Sequence, residues 1–214
     1  MKSYKLAKFT LFIFCLFSAE TTFADEIVIQ PDYWEGTKCL ENGVPWQVPA
    51  SIYKEAENCR KGDTVLELGT GGSTIFFAKR CKHVTAIETN PAWASLVIDE
   101  LNRLNLKNVN LVCIPDQKDI ELFLEKFNVN DINIISVDTV HGYNRSAFLN
   151  LALRNGISDQ LRMVVLDNYG APELFPYHYN IEAINSLEWD TFRYDDPRWC
   201  GNGTKLYIKK SKKS

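Results

Sequence analysis

The run Val65-Leu-Glu-Leu-Gly-Thr-Gly-Gly-Ser-Thr74 holds the densest chemical information in this 214-residue chain. A β-type run enters a glycine-rich turn and then a helical pattern, which exposes backbone N–H groups where a nucleotide or its charged appendage can meet them. A dinucleotide fingerprint would place glycine at 69, 71 and 74, but position 74 is Thr, whose branched side chain crowds the helix–strand contact. The chain also lacks the Gly-Lys-Ser/Thr end of a phosphate-binding loop, so a P-loop NTPase is excluded. Nineteen residues beyond Gly69 the next β-type run ends in Ala86-Ile-Glu88, a spacing at which an acid accepts both ribose hydroxyls of an adenosine-containing cofactor. Two later runs end in Asp138 and in Asp167-Asn168, with His141 shortly after the first. Two carboxylates and an amide oxygen converging on one spot would suit Mg²⁺ or Ca²⁺. In the alternative reading, Asp-Asn there caps a helix or shapes a loop. His141 is the candidate base for an alcohol or phenol, because imidazole titrates near working pH. Arg145 is expected to pair with Asp138.

These residues need a scaffold that gathers strand ends. From Lys61 short β-type runs alternate with longer helical patterns, which points to an α/β fold. Strands are expected at Thr64–Leu68, His83–Glu88, Val109–Ile114, Ile132–Asp138 and Met163–Asp167, and helices near Ser73–Arg80, Pro91–Leu104, Asp119–Phe127 and Asn144–Asn155. A short helix at Ile181–Leu187 and two closing strands, Asp190–Tyr194 and Thr204–Lys209, complete the pattern. The fold class is a Rossmann-like doubly wound, mostly parallel seven-stranded sheet with helices on both faces. Apolar runs such as Ile132-Asn-Ile-Ile-Ser-Val137 suit strands covered on both sides. Upstream, Asp32–Pro49 reads as an irregular arm leading to a helix at about Ala50–Cys59.

Composition narrows the function. The formal charge is 24 − 27 = −3, and the first 24 residues carry +2, which leaves −5 on the body. An acidic body lacks the positive field that phosphate backbones require, so no nucleic-acid partner is expected. The tail at 211–214, with Lys212 and Lys213, reads as a solvated terminus. At the other end, Lys2, Lys5 and Lys8 precede an apolar run from Phe9 to Ala19, and Thr22-Phe23-Ala24 offers a cleavage site. Residues 1–24 therefore read as a signal peptide, and the mature chain is expected to be secreted, periplasmic or lumenal without a stable membrane span. The alternative is a tether by an uncleaved signal anchor. Five cysteines remain after cleavage, with no C-x-x-C pair and thus no support for zinc. Cys39, Cys59 and Cys200 are the disulfide candidates because they lie outside the expected strands, while Cys113 is expected to be a buried small hydrophobe.

Glu67-Leu-Gly-Thr-Gly-Gly-Ser73 resembles the first motif of class I S-adenosylmethionine-dependent methyltransferases, and the order and spacing of elements carry the resemblance from about Ala50 to Ile208. Together with Glu88-Thr-Asn-Pro-Ala-Trp93 and Val165-Leu-Asp-Asn168, it is similar to a small group of methyltransferase-like domains. The division is then 1–24 signal, 25–60 arm and helix, 61–210 methyltransferase-like domain and 211–214 tail. The resemblance implies S-adenosylmethionine as cofactor, cradled by Gly69, Gly71, Gly72 and Ser73. It further implies Glu67 near the methionine amine, Glu88 on the ribose, Asp116 or Gln117 near the adenine, and Asp138 facing the transferred methyl. Ser73 stands where the family has a third glycine, and can cap the following helix. A likeness to catechol and caffeoyl-CoA O-methyltransferases implies a divalent ion on Asp138, Asp167 and Asn168, although Tyr143 follows Asp138 at a shorter interval than their aromatic residue does.

Methyl transfer from a sulfonium needs alignment and exclusion of water more than catalytic groups. Trp34, Trp46, Tyr169, Phe175, Tyr177 and Trp199 could lid the site or simply pack the rim. The acceptor is expected to be a small-molecule hydroxyl or a protein side chain, with the oligomeric state open. The competing reading is an exported binding module of the same fold without turnover. A nicotinamide enzyme is disfavoured by Glu67 and Thr74. Asn144-Arg-Ser146 and Asn202-Gly-Thr204 match the glycosylation pattern.

Overall fold

Strands rich in valine, isoleucine and leucine can be buried on both faces only if helices cover both sides of their sheet, and the computed structural model has that layout. It describes residues 27–139, 145–154, 157–169, 184, 188–196 and 203–211. Seven strands form one sheet: β1 (Thr64–Leu68), β2 (His83–Glu88), β3 (Val109–Cys113), β4 (Ile134–Val137), β5 (Met163–Asp167), β6 (Trp189–Tyr194) and β7 (Thr204–Lys209). Their order is β3-β2-β1-β4-β5-β7-β6, with β1 to β5 parallel and the last two antiparallel. The change of direction on either side of β1 and β4 opens a crevice at their carboxyl ends, where ligands of such sheets bind.

Six helices accompany the sheet among the described residues: α1 (Lys38–Asn42), α2 (Pro49–Asn58), α3 (Gly72–Arg80), α4 (Pro91–Arg103), α5 (Gln117–Lys126) and α6 (Arg145–Ala152). Side chains alternate across each strand. On one face Leu66, Leu68, Ile135, Val137, Val164 and Leu166 pack with Leu124 of α5 and Leu149 of α6. On the other, Val65, Ile134, Met163 and Val165 pack with Ile52 of α2, Phe76 and Phe77 of α3, and Tyr33 and Val44 of the arm. The doubly wound expectation holds. None of the described helices is long and apolar enough to cross a membrane.

Several details differ from expectation. β3 is the sheet edge and only partly covered, and Cys113 at its end is exposed rather than buried. β4 starts two residues late because Asn133 turns its side-chain carbonyl to the Thr64 N–H at 2.8 Å. The arm contains a short helix, α1, whose turn closes on Gly43 in the left-handed region at φ 61°. The disulfide candidates also change. Cys39 is a buried residue of α1, while Cys59 packs against the same apolar cluster as Cys81, which is not among the candidates read from the sequence. Residues 1–24, His141, Tyr143, Asn144, the loop with Phe175, Tyr177 and His178, most of Ile181–Leu187, Trp199, Cys200, Asn202 and the final three residues lie outside the described residues.

Candidate active site

β1 delivers Glu67 to the face beneath α3, where it is buried. Its Oε2 accepts a hydrogen bond from the Thr74 hydroxyl at 2.7 Å, and the Gly71 N–H donates to that hydroxyl oxygen at 3.0 Å. Thr74, rather than Ser73, ties the turn to the helix; Ser73 lies inside the first turn of α3. Glu67 Oε1 has no hydrogen-bond partner. Burial pushes the Glu67 carboxyl up to about 8, against the downward pull of the Ser73 and Thr74 hydroxyls.

The glycines divide by what a side chain would strike. Gly69 has φ 87°, and a Cβ there would lie 1.6 Å from the Asp138 carbonyl oxygen. At Gly72 a Cβ would lie 1.9 Å from the Val44 carbonyl oxygen and 2.4 Å from that of Cys39. These two glycines let the protein's own backbone close up around the turn. At Gly71 a Cβ would meet only the Trp93 indole at 3.6 Å, but its φ of 157° is one that residues with side chains rarely adopt. Trp93 in turn donates Nε1–H to the Thr70 carbonyl at 2.7 Å.

Glu88, at the end of β2, is also buried. Its Oε2 accepts from the Thr70 N–H at 3.1 Å and the Thr70 hydroxyl at 2.5 Å, and its Oε1 from the N–H groups of Thr89 at 2.7 Å and Asn90 at 2.8 Å. One carboxylate therefore joins the glycine turn to the start of α4, whose first turn is capped by Asn90. Asp116 is exposed and caps α5 by accepting the Lys118 N–H at 2.7 Å, two residues after Ile114 donates to the Glu88 carbonyl. Glu67, Gly69, Gly71, Gly72, Ser73 and Glu88 thus form one turn, with Asp138 closing on Gly69 and Asp116 on the rim of the same sheet end.

At the ends of β4 and β5 the organising group is Arg145. Its buried guanidinium donates to the Asp167 carbonyl at 2.7 Å, Asn168 Oδ1 at 3.2 Å, Asp138 Oδ1 at 3.3 Å and the Thr139 carbonyl. The expected Asp138–Arg145 pair is present. The Asp167 carboxylate turns away from it to accept the Thr204 hydroxyl at 2.8 Å. Burial pushes the carboxyls of Asp138 and Asp167 up, while Arg145 pulls both down. Asp138, Asp167 and Asn168 do not fit a divalent ion: a guanidinium holds the place between them, and no cluster of three metal-ligating side chains occurs among the described residues.

Two buried acids, Glu55 and Asp63, are not singled out by the sequence, and Asp63 is paired with Arg162. Glu55 of α2 is fully buried, neither carboxylate oxygen has a hydrogen-bond partner, and burial with the nearby Asp167, Glu67 and Asp138 raises its pKa well above the usual range. The available signal was its place on the apolar side of the helix, three residues after Ile52.

No protein-family profile matches the chain. It is 36% identical over 72 residues to a tRNA (guanine-N(7)-)-methyltransferase of Mycoplasma mobile, across 32% of this chain and 36% of that one. This chain therefore spans about a third of that relative's length. It is 25% identical over 138 residues to a Methanococcus vannielii protein assigned as a cobalt-precorrin-6B C(15)-methyltransferase (decarboxylating), across 56% of this chain and 76% of that one. Among solved structures, a Streptococcus mutans protein assigned as a methyltransferase and solved with S-adenosylhomocysteine superposes with a TM-score of 0.55 at 15% identity, over 76% of this chain and 98% of its own. An rRNA methylase of Streptococcus thermophilus gives 0.52 at 15% identity, over 78% and 99%. The sheet order is that of the Rossmann-like methyltransferase fold, and the chain is similar in sequence to class I S-adenosylmethionine-dependent methyltransferases over part of its length.

Proposed function

We propose that this chain transfers a methyl group from S-adenosylmethionine to a small-molecule acceptor. The observation that carries the reading is Glu67, a buried carboxyl beside the glycine turn with one oxygen lacking a partner. The methionine ammonium of the cofactor is the complementary charge, and Glu88 stands a strand away at the reach of the ribose. In this reading Gly69, Gly71, Gly72 and Ser73 form the cradle, Asp116 borders the adenine, and Asp138 lies nearest the reacting methyl. Asp138 is half-buried and paired with Arg145, so its main work is to fix the β4–β5 ends. His141 remains the proposed base for a hydroxyl acceptor.

A small molecule is favoured over RNA for two reasons. The likeness to the precorrin enzyme extends over more of both chains than the likeness to the tRNA enzyme, and the acidic body repels phosphates. RNA still enters as the second reading, because the tRNA methyltransferase is a sequence relative and the charge balance alone cannot override that likeness. We also propose export through the N-terminal 24 residues, with a signal anchor as the alternative.

The test is thermal unfolding of residues 25–214 with S-adenosylmethionine, S-adenosylhomocysteine, NAD or no ligand. A ligand at 100 times its dissociation constant adds about 2.7 kcal/mol, or roughly 5–10 °C at this size. A shift with the sulfur nucleosides alone supports the reading, and methyl transfer to phenolic small molecules, peptides and tRNA then identifies the acceptor. No shift with any ligand favours a binding module without cofactor.

A further inference from the structure

We propose that Cys59 and Cys81 are joined by a disulfide in the mature protein. Cys59 is the residue on which α2 ends, with its N–H donating to the Glu55 carbonyl at 2.9 Å, and Cys81 is the residue on which α3 ends, with its N–H donating to the Phe77 carbonyl at 2.7 Å. Both helices stop at the same end of the sheet, and both cysteines pack against the apolar cluster of Ile52, Val65 and Phe77. The backbone beside them is tied together, because the Asp63 carbonyl accepts the N–H groups of Lys82 at 2.8 Å and His83 at 3.3 Å while the Asp63 N–H donates to the Arg60 carbonyl at 2.9 Å, and the Cys59 side chain faces that of Cys81.

The surroundings hold this approach in place from both sides. Arg162 donates to the Asn58 carbonyl at 3.3 Å and pairs with Asp63, while Asn108 donates its amide to the carbonyls of Ala78 at 2.8 Å and Cys81 at 3.1 Å. A disulfide needs its two backbones held close together, and these bonds fix both helix ends beside one another. The N-terminal address read from the sequence would deliver the chain to a compartment where such bonds persist.

The chemistry balances with one co-reactant. Two S–H bonds give one S–S bond, and the two electrons and two protons pass to an oxidant of the disulfide class, such as oxidised glutathione, whose S–S bond breaks to give two thiols. Once the protein has folded, the partner thiol and burial push the Cys59 thiol pKa up, which suppresses the thiolate. The bond is therefore made while the chain folds. It clamps α2, which carries Glu55, to α3, which begins at the glycine turn. It does not depend on the methyltransferase reading.

The full chain would be produced in an oxidising bacterial periplasm, its free thiols alkylated under denaturing conditions, and the protein digested without reductant. The expected result is a peptide bearing Cys59 linked to one bearing Cys81, with Cys39 and Cys113 alkylated. Closing a loop of this length should also raise the unfolding midpoint by about 6–12 °C over the dithiothreitol-treated protein, and the Cys59→Ser, Cys81→Ser double variant should lose that difference. Alkylation of both cysteines, pairing of either with another cysteine, or a midpoint insensitive to reductant would each overturn the proposal.

Discussion

Replacing Glu88 with glutamine removes one negative charge and turns one acceptor into a donor while keeping size and shape. The carboxylate receives five donors, two on Oε2 and three on Oε1, of which the Thr89 hydroxyl at 3.5 Å is the longest. If the new amide nitrogen takes the place of Oε1, the N–H groups of Thr89 and Asn90 both face a donor. If it takes the place of Oε2, the Thr70 hydroxyl can rotate to accept, and only the Thr70 N–H is stranded. The second arrangement is therefore preferred, at a cost of about 1–3 kcal/mol for the orphaned N–H plus roughly 1 kcal/mol for each of the two surviving backbone N–H bonds that becomes neutral. The sum is about 3–5 kcal/mol, and for a chain of this size the unfolding midpoint falls by about 6–20 °C. Glu88 is 2% exposed, so solvent screening does little to reduce the figure. The assay is calorimetric unfolding without ligand, followed by titration with S-adenosylhomocysteine below the lowered midpoint, where affinity should fall at least tenfold. Glu88→Asp keeps the charge and should recover part of both losses. A Glu88→Gln midpoint within 2 °C of the parent would refute the clasp described here, and unchanged affinity would remove Glu88 from the cofactor site.

The Glu67 carboxyl, raised to about 8 when folded from 4.5, is protonated in the native state at neutral pH. Its stabilising contribution is complete below pH 4.5 and is lost as pH rises to about 8, and Glu55 and Asp167 act in the same direction, so stability measured from pH 5 to 8 should decline. Binding the cofactor's ammonium should ionise Glu67 and release a proton at pH 7, visible as a binding enthalpy that varies with the buffer's ionisation enthalpy; no variation would separate Glu67 from the methionine end. Gly72→Ala should prevent stable folding, because its Cβ has nowhere to go among the carbonyls of Val44 and Cys39, whereas Gly71→Ala, strained at φ 157° but free of backbone clashes, should still fold with a midpoint lowered by about 2–12 °C and lose cofactor affinity. Circular dichroism and titration would distinguish the two. Arg145→Met should destabilise by about 2–6 kcal/mol by stranding the buried carbonyls of Asp167 and Thr139, and methyl transfer by the parent should survive exhaustive chelation; activity that disappears with EDTA and returns with Mg²⁺ would contradict the guanidinium's placement.

The parts of this structure legible in sequence were those written into short windows. Thr64–Leu68, His83–Glu88, Met163–Asp167 and Thr204–Lys209 match their expected bounds because each is an unbroken β-type run closed by turn residues or charge. The glycine turn was legible for the same reason, since strand, glycines and helix are consecutive. The purpose of each glycine was not, because Val44, Cys39 and Asp138 reach the turn from elsewhere in the chain.

The same divide explains the metal expectation. Asp138, Asp167 and Asn168 have the donor atoms of a divalent site, and type alone cannot say which way a carboxylate turns. Thr204, on the antiparallel strand β7, draws the Asp167 carboxylate to one side, and Arg145 supplies the positive charge that an ion would have brought. A lone arginine seven residues after an acid reads as a surface pair, and only the packing of α6 against the strand ends makes it the buried hub of four acceptors. Charge neutralisation at the chemical end of this fold is thus settled by tertiary partners that short motifs do not contain. The buried acids Glu55 and Glu67 have no such cation among their hydrogen-bond partners, and burial therefore raises both carboxyls without a charge to oppose it.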